Sequence, residues 1–198
     1  MKKYGLTSDV RVIDDKVLYR IISLIDFGNV KAGTMGGFVE SESNLSQDGL
    51  AWVMDNACVM DGARVLGDAK VCGNACVRER ASVMDEACVT DSALVMGGAE
   101  ISGHAVVCGT AMIDGAAVVC DYAKVCGQVE VYESVTFNKN VVVGESTDYI
   151  TVRNPFNGHI ITWTRSDRRW TDGESVGDAA LAESPFVKAA ERMTELIR

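Results

Sequence analysis

The sequence predicts an all-β solenoid, and three features of its central part lead to this prediction. A small residue recurs at every sixth position, as alanine without a break from Ala51 to Ala123. A valine, isoleucine or phenylalanine stands two positions after each small residue, from Val53 to Val143. The two residues that close each unit are rich in Gly, Asp and Asn, as in Asp61-Gly62. A fixed period of this kind indicates stacked structural repeats.

Each unit of the repeat predicts one short strand followed by one corner. A helix repeats near 3.6 residues, which a period of six does not fit, whereas residues two apart share one face of a strand. The small residue and the valine of a unit should therefore both point inward. Gly, Asp and Asn tolerate the positive φ angles that a tight corner needs. Strands of successive coils would stack about 4.8 Å apart, and contacts between neighbouring coils would stabilise the structure.

The repeat resembles that of hexapeptide-repeat proteins, which form a left-handed parallel β-helix. The resemblance implies three units, or roughly 18 residues, per coil, and hence about six coils between residues 39 and 146. The segment DFGNVKAGTMGGFVESESNLSQDGLAWVMDNA, residues 26–57, is similar to the start of an acyltransferase-like family of bacterial and phage proteins. The segment GHIITWTRSDRRW, residues 158–170, is similar to the end of phage members. This family implies a fold but not an established activity.

Residues 1–38 are predicted to cap the N-terminal end of the solenoid. The segment VRVIDDKVLYRIISL, residues 10–24, has two alternating runs on either side of Asp14-Asp15, which is typical of a β-hairpin. Gly33, Gly36 and Gly37 mark the entry into the first coil. A cap is expected because the end of a solenoid otherwise exposes unpaired backbone groups.

Two further segments follow the solenoid. Residues 147–172 are predicted to form a C-terminal β-hairpin cap of two or three strands, with turns at 154–158 and at Ser166-Asp167. Residues 173–198 are predicted to form a tail with a short helix, because Ser184 suits the N-cap and Pro185 the first helical position. The apolar residues of this helix would share one face: Phe186, Ala190, Met193 and Ile197.

The outward side chains fall on three walls when the implied coil length is applied. The first wall begins with Trp52 and Met54, the second with Cys58 and Met60, and the third with Arg64. The first two walls are very apolar, and large apolar patches usually mark interfaces. We therefore expect a homo-oligomer, with a trimer favoured by the resemblance, unless the C-terminal helix covers a wall or Met and Cys simply line flat surfaces. The candidate interface residues are Trp52, Met54, Met60, Cys72, Leu94, Met96, Cys108, Met112, Cys126 and Tyr132.

The charge and the cysteines limit the partners and the compartment. The net charge is −9, and residues 39–146 hold 16 Asp and Glu against 6 Lys and Arg. Phosphate binding needs a basic patch, so neither nucleic acid nor an anionic membrane is an expected partner. The basic N terminus is not followed by the apolar run that a secretion signal would have. The chain has 7 cysteines. An odd number of cysteines without a secretion signal indicates reduced thiols, so we expect a cytoplasmic protein.

The candidates for catalysis are the two histidines, His104 and His159. Hexapeptide-repeat acyltransferases use a histidine base beside acyl-CoA bound between subunits, which is what the resemblance implies for His104. His104 lies in a predicted corner where other units have Asn56, Asp68 or Thr110, so a polar corner residue is the simpler interpretation. His159 follows a turn of the predicted C-terminal hairpin and is the weaker candidate.

No metal or cofactor site is predicted. Cys58 and Cys76, like Cys108 and Cys126, are 18 residues apart and would stack in neighbouring coils. A disulfide could span that distance, but a reducing compartment predicts thiols that line the walls as small apolar groups. The acidic corners on one edge lie two coils apart, roughly 10 Å, which is too far to share one cation. We expect them to form a solvated edge.

The sequence therefore predicts a rigid, non-enzymatic binding protein. The phage-like segments favour a phage or prophage origin, with binding of a host protein or a small ligand, for example from a host defence system. Two alternatives stay open. One is an acyl-CoA-dependent acyltransferase of the hexapeptide-repeat type with His104 as its base, and the other is an acidic mimic of DNA.

Overall fold

The computed structural model describes residues 1–132, 134–153, 160–166 and 169–171. Its first strands are β1 (Tyr4–Ile13), β2 (Lys16–Ser23) and β3 (Met35–Val39). Two-residue strands then occur once per unit of the repeat: β4 (Trp52–Val53), β5 (Cys58–Val59), β6 (Arg64–Val65), β7 (Lys70–Val71), β8 (Cys76–Val77), β9 (Ser82–Val83), β10 (Cys88–Val89), β11 (Leu94–Val95), β12 (Glu100–Ile101), β13 (Val106–Val107), β14 (Met112–Ile113), β15 (Val118–Val119), β16 (Lys124–Val125), β17 (Glu130–Val131), β18 (Thr136–Phe137) and β19 (Val142–Val143). Short 3₁₀ turns at Glu42–Asn44 and Ser146–Asp148 flank this series.

The two-residue strands stack into three parallel sheets, one for each wall. The first wall contains β4, β7, β10, β13, β16 and β19, and the third contains β6, β9, β12, β15 and β18. On the second wall, the cap strands β1, β2 and β3 precede β5, β8, β11, β14 and β17 in one sheet. Paired residues such as Lys70 and Cys88 are one coil apart, which confirms the predicted solenoid of about six coils. The left-handedness stays a prediction of the resemblance.

The inward side chains form one continuous core, on the face that the repeat predicts. The alanines from Ala51 to Ala123 and the residues of the valine position from Val53 to Val143 are at most 1% exposed. Larger side chains close the C-terminal end, where the ring of Phe137 lies 5.2 Å from that of Tyr149. In this last part of the core, valine replaces alanine at the small position, at Val129, Val135 and Val141.

The first corner residue of each unit has a left-handed backbone conformation. Every described residue at this position from Asp55 to Lys139 has a φ angle between 54° and 80°. Glycine adopts this conformation without steric cost, and Asp does so more readily than most residues with a side chain. The Gly and Asp content of the corners is therefore a requirement of the backbone.

The acidic corners also join neighbouring coils. The Asp55 carboxylate accepts a hydrogen bond from the backbone N–H of Gly73 at 3.1 Å, one coil further on. Asp85 accepts in the same way from the N–H of Gly103 at 3.0 Å. The other corners that make this contact are Asp61, Glu79, Asp91 and Asp121. These carboxylates thus satisfy backbone donors at the corners, a role that the sequence interpretation of a solvated edge did not include.

The N-terminal cap is the predicted hairpin, extended by one strand. Strands β1 and β2 pair antiparallel, and Asp14 and Asp15 have positive φ angles at the turn between them. Strand β3 pairs antiparallel with β2 and parallel with β5, so the hairpin continues the second wall. Close packing explains Gly37 at this junction, because a Cβ there would lie 2.6 Å from the carbonyl oxygen of Ala57.

Buried polar side chains cover the open backbone of the first coil. The Lys3 ammonium group is almost fully buried and donates to three carbonyl oxygens, those of Asp48, Gly49 and Ala51, at 3.0–3.3 Å. The Tyr4 hydroxyl donates to the Leu45 carbonyl oxygen at 2.7 Å. Because unpaired backbone groups at a solenoid end would be costly to bury, these contacts make the cap part of the fold.

Lys3 should give the stability of the protein a pH dependence. Burial lowers the pKa of its ammonium group from 10.5 to about 8, so between these values the unfolded chain binds more protons here than the folded chain. Stability rises with pH wherever the unfolded state binds more protons. We therefore expect the free energy of unfolding of the wild-type protein, relative to that of Lys3→Met, to rise from about pH 7.5 to about pH 9.5.

Urea unfolding of both proteins at several pH values measures this difference. The pH range stays below 10 because burial raises the pKa of Tyr4 from 10.0 to about 12. Above the ordinary tyrosine pKa the unfolded chain loses a proton that the folded chain keeps, so stability falls with pH. A difference between the two proteins that is constant across the range would contradict the buried, charged Lys3.

The predicted C-terminal strands are present as β20 (Tyr149–Arg153), β21 (Ile160–Thr164) and β22 (Arg169–Thr171), which pair antiparallel in that order. The predicted turn at 154–158 and the tail at 173–198, including its helix after Ser184-Pro185, lie outside the described residues. Across the part of the chain that is described, no helix has the length and apolar character needed to cross a bilayer.

Candidate functional site

Two of the ten candidate interface residues are covered by the protein's own cap. Trp52 is 2% exposed, and its ring makes an edge contact with Phe27 at 5.3 Å between centroids. Met60 is also 2% exposed and packs with Leu18 of the hairpin and Phe38 of β3. The assignment of Trp52 and Met60 to an open interface is therefore wrong. The hairpin continues the second wall and folds over the first coil, which a repeat pattern alone does not reveal.

A partly buried apolar patch lies beyond the cap on the second wall. We call Leu94, Met96, Met112 and Tyr132 the second-wall patch. Leu94 and Met112 are direct partners in neighbouring strands. The ring of Tyr132 is 47% exposed, and its hydroxyl lies 3.7 Å from the Met112 sulfur. No described segment of the chain covers these side chains, so they are available to a partner.

The patch has charged groups at both ends. On the cap side, an Arg78 guanidinium nitrogen lies 3.7 Å from the Met96 sulfur and another lies 3.2 Å from the Asp14 carboxylate. On the other side, the Tyr132 hydroxyl donates to the Glu130 carboxylate at 3.0 Å.

The Asp114 carboxylate stands within the patch, one coil after Met96 and one coil before Tyr132. The hydrogen bond to Glu130 and the charge of Asp114 both raise the pKa of the Tyr132 hydroxyl. The patch therefore mixes apolar and charged side chains, as the rim of an interface does.

The first wall carries the remaining candidates, Met54, Cys72, Cys108 and Cys126. Cys108 and Cys126 are joined by a disulfide across adjacent coils, with their Cα atoms 4.5 Å apart. The expectation of seven reduced thiols is therefore corrected at this pair. In-register stacking brings the two cysteines within disulfide distance, and the sequence argument had set that geometry aside on the grounds of compartment. The Cys72 thiol donates to the Thr90 hydroxyl at 3.1 Å.

A second stacked cysteine pair remains reduced. Cys58 and Cys76 face each other in β5 and β8. The Cys76 thiol is hydrogen-bonded to Cys58 and partly buried, and both effects raise its pKa. Burial likewise raises the pKa of Cys88 on the first wall to about 11. Thiols with raised pKa values are poor nucleophiles, so Cys76 and Cys88 are better suited to packing than to catalysis.

His104 lies on an exposed edge between the third and first walls. Its Nδ1 atom is 3.4 Å from a Glu86 carboxylate oxygen one coil below. Its ring stacks on Tyr122 one coil above, with centroids 4.7 Å apart and the planes 15° from parallel. This column of corner side chains agrees with the interpretation of His104 as a polar corner residue. His159 lies outside the described residues.

A cavity of about 450 Å³ lies where the cap meets the first wall. Phe27 and Val30 of the cap face Leu50 and Trp52 of the first coil across it. Polar groups from Asp55, Lys70, Asn29 and Thr34 also line it. The sequence interpretation missed this site, because Trp52 was placed on an open wall and the loop at 27–35 carries no motif. Within the ranges described, no three His, Cys, Asp or Glu side chains converge on a possible metal position.

Comparisons with known proteins support the repeat and little more. No family model matches this sequence. The chain is similar to the "Uncharacterized acetyltransferase YdcK" of Escherichia coli (strain K12), with 35% identity over 63 residues. The match covers 28% of this chain and 19% of that protein, so the chain spans well under two thirds of the relative. A match of this length is consistent with the hexapeptide-repeat solenoid described above.

Proposed function

We propose that the protein is a rigid, non-catalytic scaffold that assembles with copies of itself through the second-wall patch. The single observation that carries this proposal is the set of apolar side chains Leu94, Met96, Met112 and Tyr132, which stand together on one wall among charged groups. Exposed apolar patches on soluble domains commonly mark protein interfaces. A solenoid wall is also rigid, so little conformational entropy is lost when it docks.

The first wall of a neighbouring copy is the surface that suits this patch. It is apolar at Cys88 and Val106, both partly buried outward residues near the middle of the solenoid. A contact between two different walls is heterologous, and such contacts close into a ring when the rotation between copies is right. The trimer that the resemblance favours would need a rotation of about 120° between neighbouring copies.

We expect a single charge in the patch to break this assembly. In Met96→Glu a carboxylate would have to be desolvated at the interface, which costs several kcal/mol when it is unpaired, whereas in the free monomer it would lie beside Arg78. The matched control is Met84→Glu, because Met84 is a partly buried outward methionine of the third wall. Size-exclusion chromatography with light scattering should give an oligomer for the wild type and for Met84→Glu, and a folded monomer for Met96→Glu. A wild-type protein that is monomeric in this experiment would contradict the proposal.

The target of the scaffold is a further part of the proposal. The similarity of residues 26–57 to phage and bacterial relatives supports a phage or prophage origin and a host protein or small ligand as target. Capture experiments from host lysate with the wild-type protein and Met96→Glu would show whether binding needs the assembled form. A target recovered equally by both would place recognition on a single chain.

An acyl-CoA-dependent transferase is the second candidate, favoured by the name of the Escherichia coli relative and by the contact between His104 and Glu86. A general base must lie within hydrogen-bond reach of the acceptor that it deprotonates. The proposal of catalysis by His104 therefore needs a neighbouring copy to build a site on this exposed edge. Titration with coenzyme A tests it: saturable micromolar binding, with acetyl transfer lost in His104→Ala, would favour the enzyme over the scaffold.

A further inference from the structure

A backbone turn that is already formed borders the cavity between the cap and the first wall. Phe27 and Val30 exchange two backbone hydrogen bonds, at 3.0 and 2.8 Å, which close a tight turn. The Asp26 carboxylate fixes the base of this turn, since it accepts from the Ala32 N–H at 2.9 Å and pairs with Lys31 at 2.9 Å. The hydrogen bond from Ala32 and the pairing with Lys31 both lower the pKa of Asp26. The turn therefore holds its shape without a ligand.

The interior of the cavity is aromatic and aliphatic. The Trp52 indole is held by edge contacts with Phe27 at 5.3 Å and Tyr4 at 6.2 Å. Leu50 and Met35 line the cavity and are 42% and 43% exposed, so apolar surface is left open to a ligand. A volume of about 450 Å³ falls within the range of small-molecule sites, about 300–1,000 Å³.

One cationic and one acidic side chain line the cavity. Lys70 lies directly beside Trp52 in the parallel sheet, and its side chain is exposed. It forms no ion pair among the residues that the structure describes. The one acidic residue of the lining, Asp55, accepts the N–H of Gly73 through one carboxylate oxygen and keeps its negative charge. Lys70 is therefore the side chain of the lining that can receive an anion, since its ammonium group has no ion-pair partner in the described chain.

We propose that this cavity binds a small molecule with a flat apolar body and one anionic group, such as an aromatic carboxylate or sulfonate. The body packs against the partly buried ring of Phe27, where offset and edge-to-face aromatic contacts are favourable, and against the exposed side chains of Leu50 and Met35. The anionic group pairs with the Lys70 ammonium group at the rim. This binding site is separate from the second-wall patch and is built from residues of a single chain.

The experiment uses two fluorescent probes that share one aromatic body. Anilinonaphthalene sulfonate carries an anionic group, and phenyl naphthylamine has the same rings without it. Both are titrated into the full-length protein, into Lys70→Gln and into Lys124→Gln. Lys124 is the matched control, because it is an exposed lysine on the first wall that stands in the same column as Lys70, three coils away.

We expect saturable binding of the sulfonate to the wild-type protein and to Lys124→Gln, and about tenfold weaker binding to Lys70→Gln, as for the loss of one charge-assisted contact. Phenyl naphthylamine should bind all three proteins equally. The proposal is overturned if the sulfonate binds Lys70→Gln as tightly as the wild type, if Lys124→Gln weakens it as much, or if neither probe binds saturably. Dissociation of Met96→Glu into folded monomers should leave the sulfonate affinity unchanged, which separates this test from that of assembly.

Discussion

Val107→Ala should lower the free energy of unfolding by about 2–3 kcal/mol. Val107 is fully buried in the middle of the column, at the valine position of β13. Truncation removes two methyl groups from the core and leaves a cavity between coils that cannot collapse, because neighbouring strands are fixed by the solenoid register. Since stability in a stacked repeat comes from neighbour contacts, the loss also weakens the coils on either side.

The adjacent residue provides the control for this substitution. Val106 precedes Val107 in the same strand and is only partly buried, on the outside of the first wall. Val106→Ala should cost less than about 1 kcal/mol. Urea unfolding followed by far-ultraviolet circular dichroism measures both variants. Equal losses at the two positions would mean that the inward face of the repeat is wrongly assigned.

Gly97→Ala should destabilise the protein by about 2 kcal/mol or more, because two costs add at this corner. Gly97 has a φ angle of 68°, and a Cβ there would lie 2.7 Å from backbone atoms of Gly115 in the next coil. Alanine is strained at this φ angle. The contact with Gly115 is to backbone, which can move only if the two coils separate.

The neighbouring Gly98 gives a matched pair with identical chemistry. Its φ angle is not positive, and a Cβ there meets nothing nearer than the Gly115 carbonyl oxygen at 3.5 Å. Gly98→Ala should therefore leave stability unchanged or raise it slightly, since it restricts the unfolded chain. Thermal unfolding of both variants would test the left-handed corner. A Gly98→Ala variant less stable than Gly97→Ala would show that the corner is placed one residue off.

The repeat was sufficient to predict the architecture because it is a local signal that is restated in every coil. The inward alanine and valine, the short strands and the corner residues all follow from residue types within six positions of each other. The same pattern could not show that the hairpin covers Met60, since that contact joins residues far apart in the chain. It also could not show the cavity under Phe27, which depends on how the cap loop folds back onto Trp52.

Chemistry between coils was only partly visible in the sequence. The spacing of Cys108 and Cys126 predicted the right geometry for a disulfide. Free thiols were nevertheless predicted at this pair, because a reducing compartment was expected. The acidic corners were interpreted as solvated, because amino-acid composition does not show whether a carboxylate accepts a backbone N–H one coil away. A search for Asp or Glu one coil before a corner glycine would have found the contact between Asp55 and Gly73.

The most direct measurement of the scaffold proposal is the rate of oxidation of individual methionines in the native protein, read by mass spectrometry after brief exposure to peroxide. Met84 and Met112 are both partly buried outward residues of the single chain, and the rate of each in the wild-type protein is compared with the rate of the same methionine in Met96→Glu, the expected monomer. If the second-wall patch is an interface, Met112 should oxidise several-fold more slowly in the wild-type protein than in Met96→Glu, whereas Met84 should oxidise at the same rate in both. Oxidation of Met112 at one rate in the two proteins would contradict the proposal that this wall is where the copies meet.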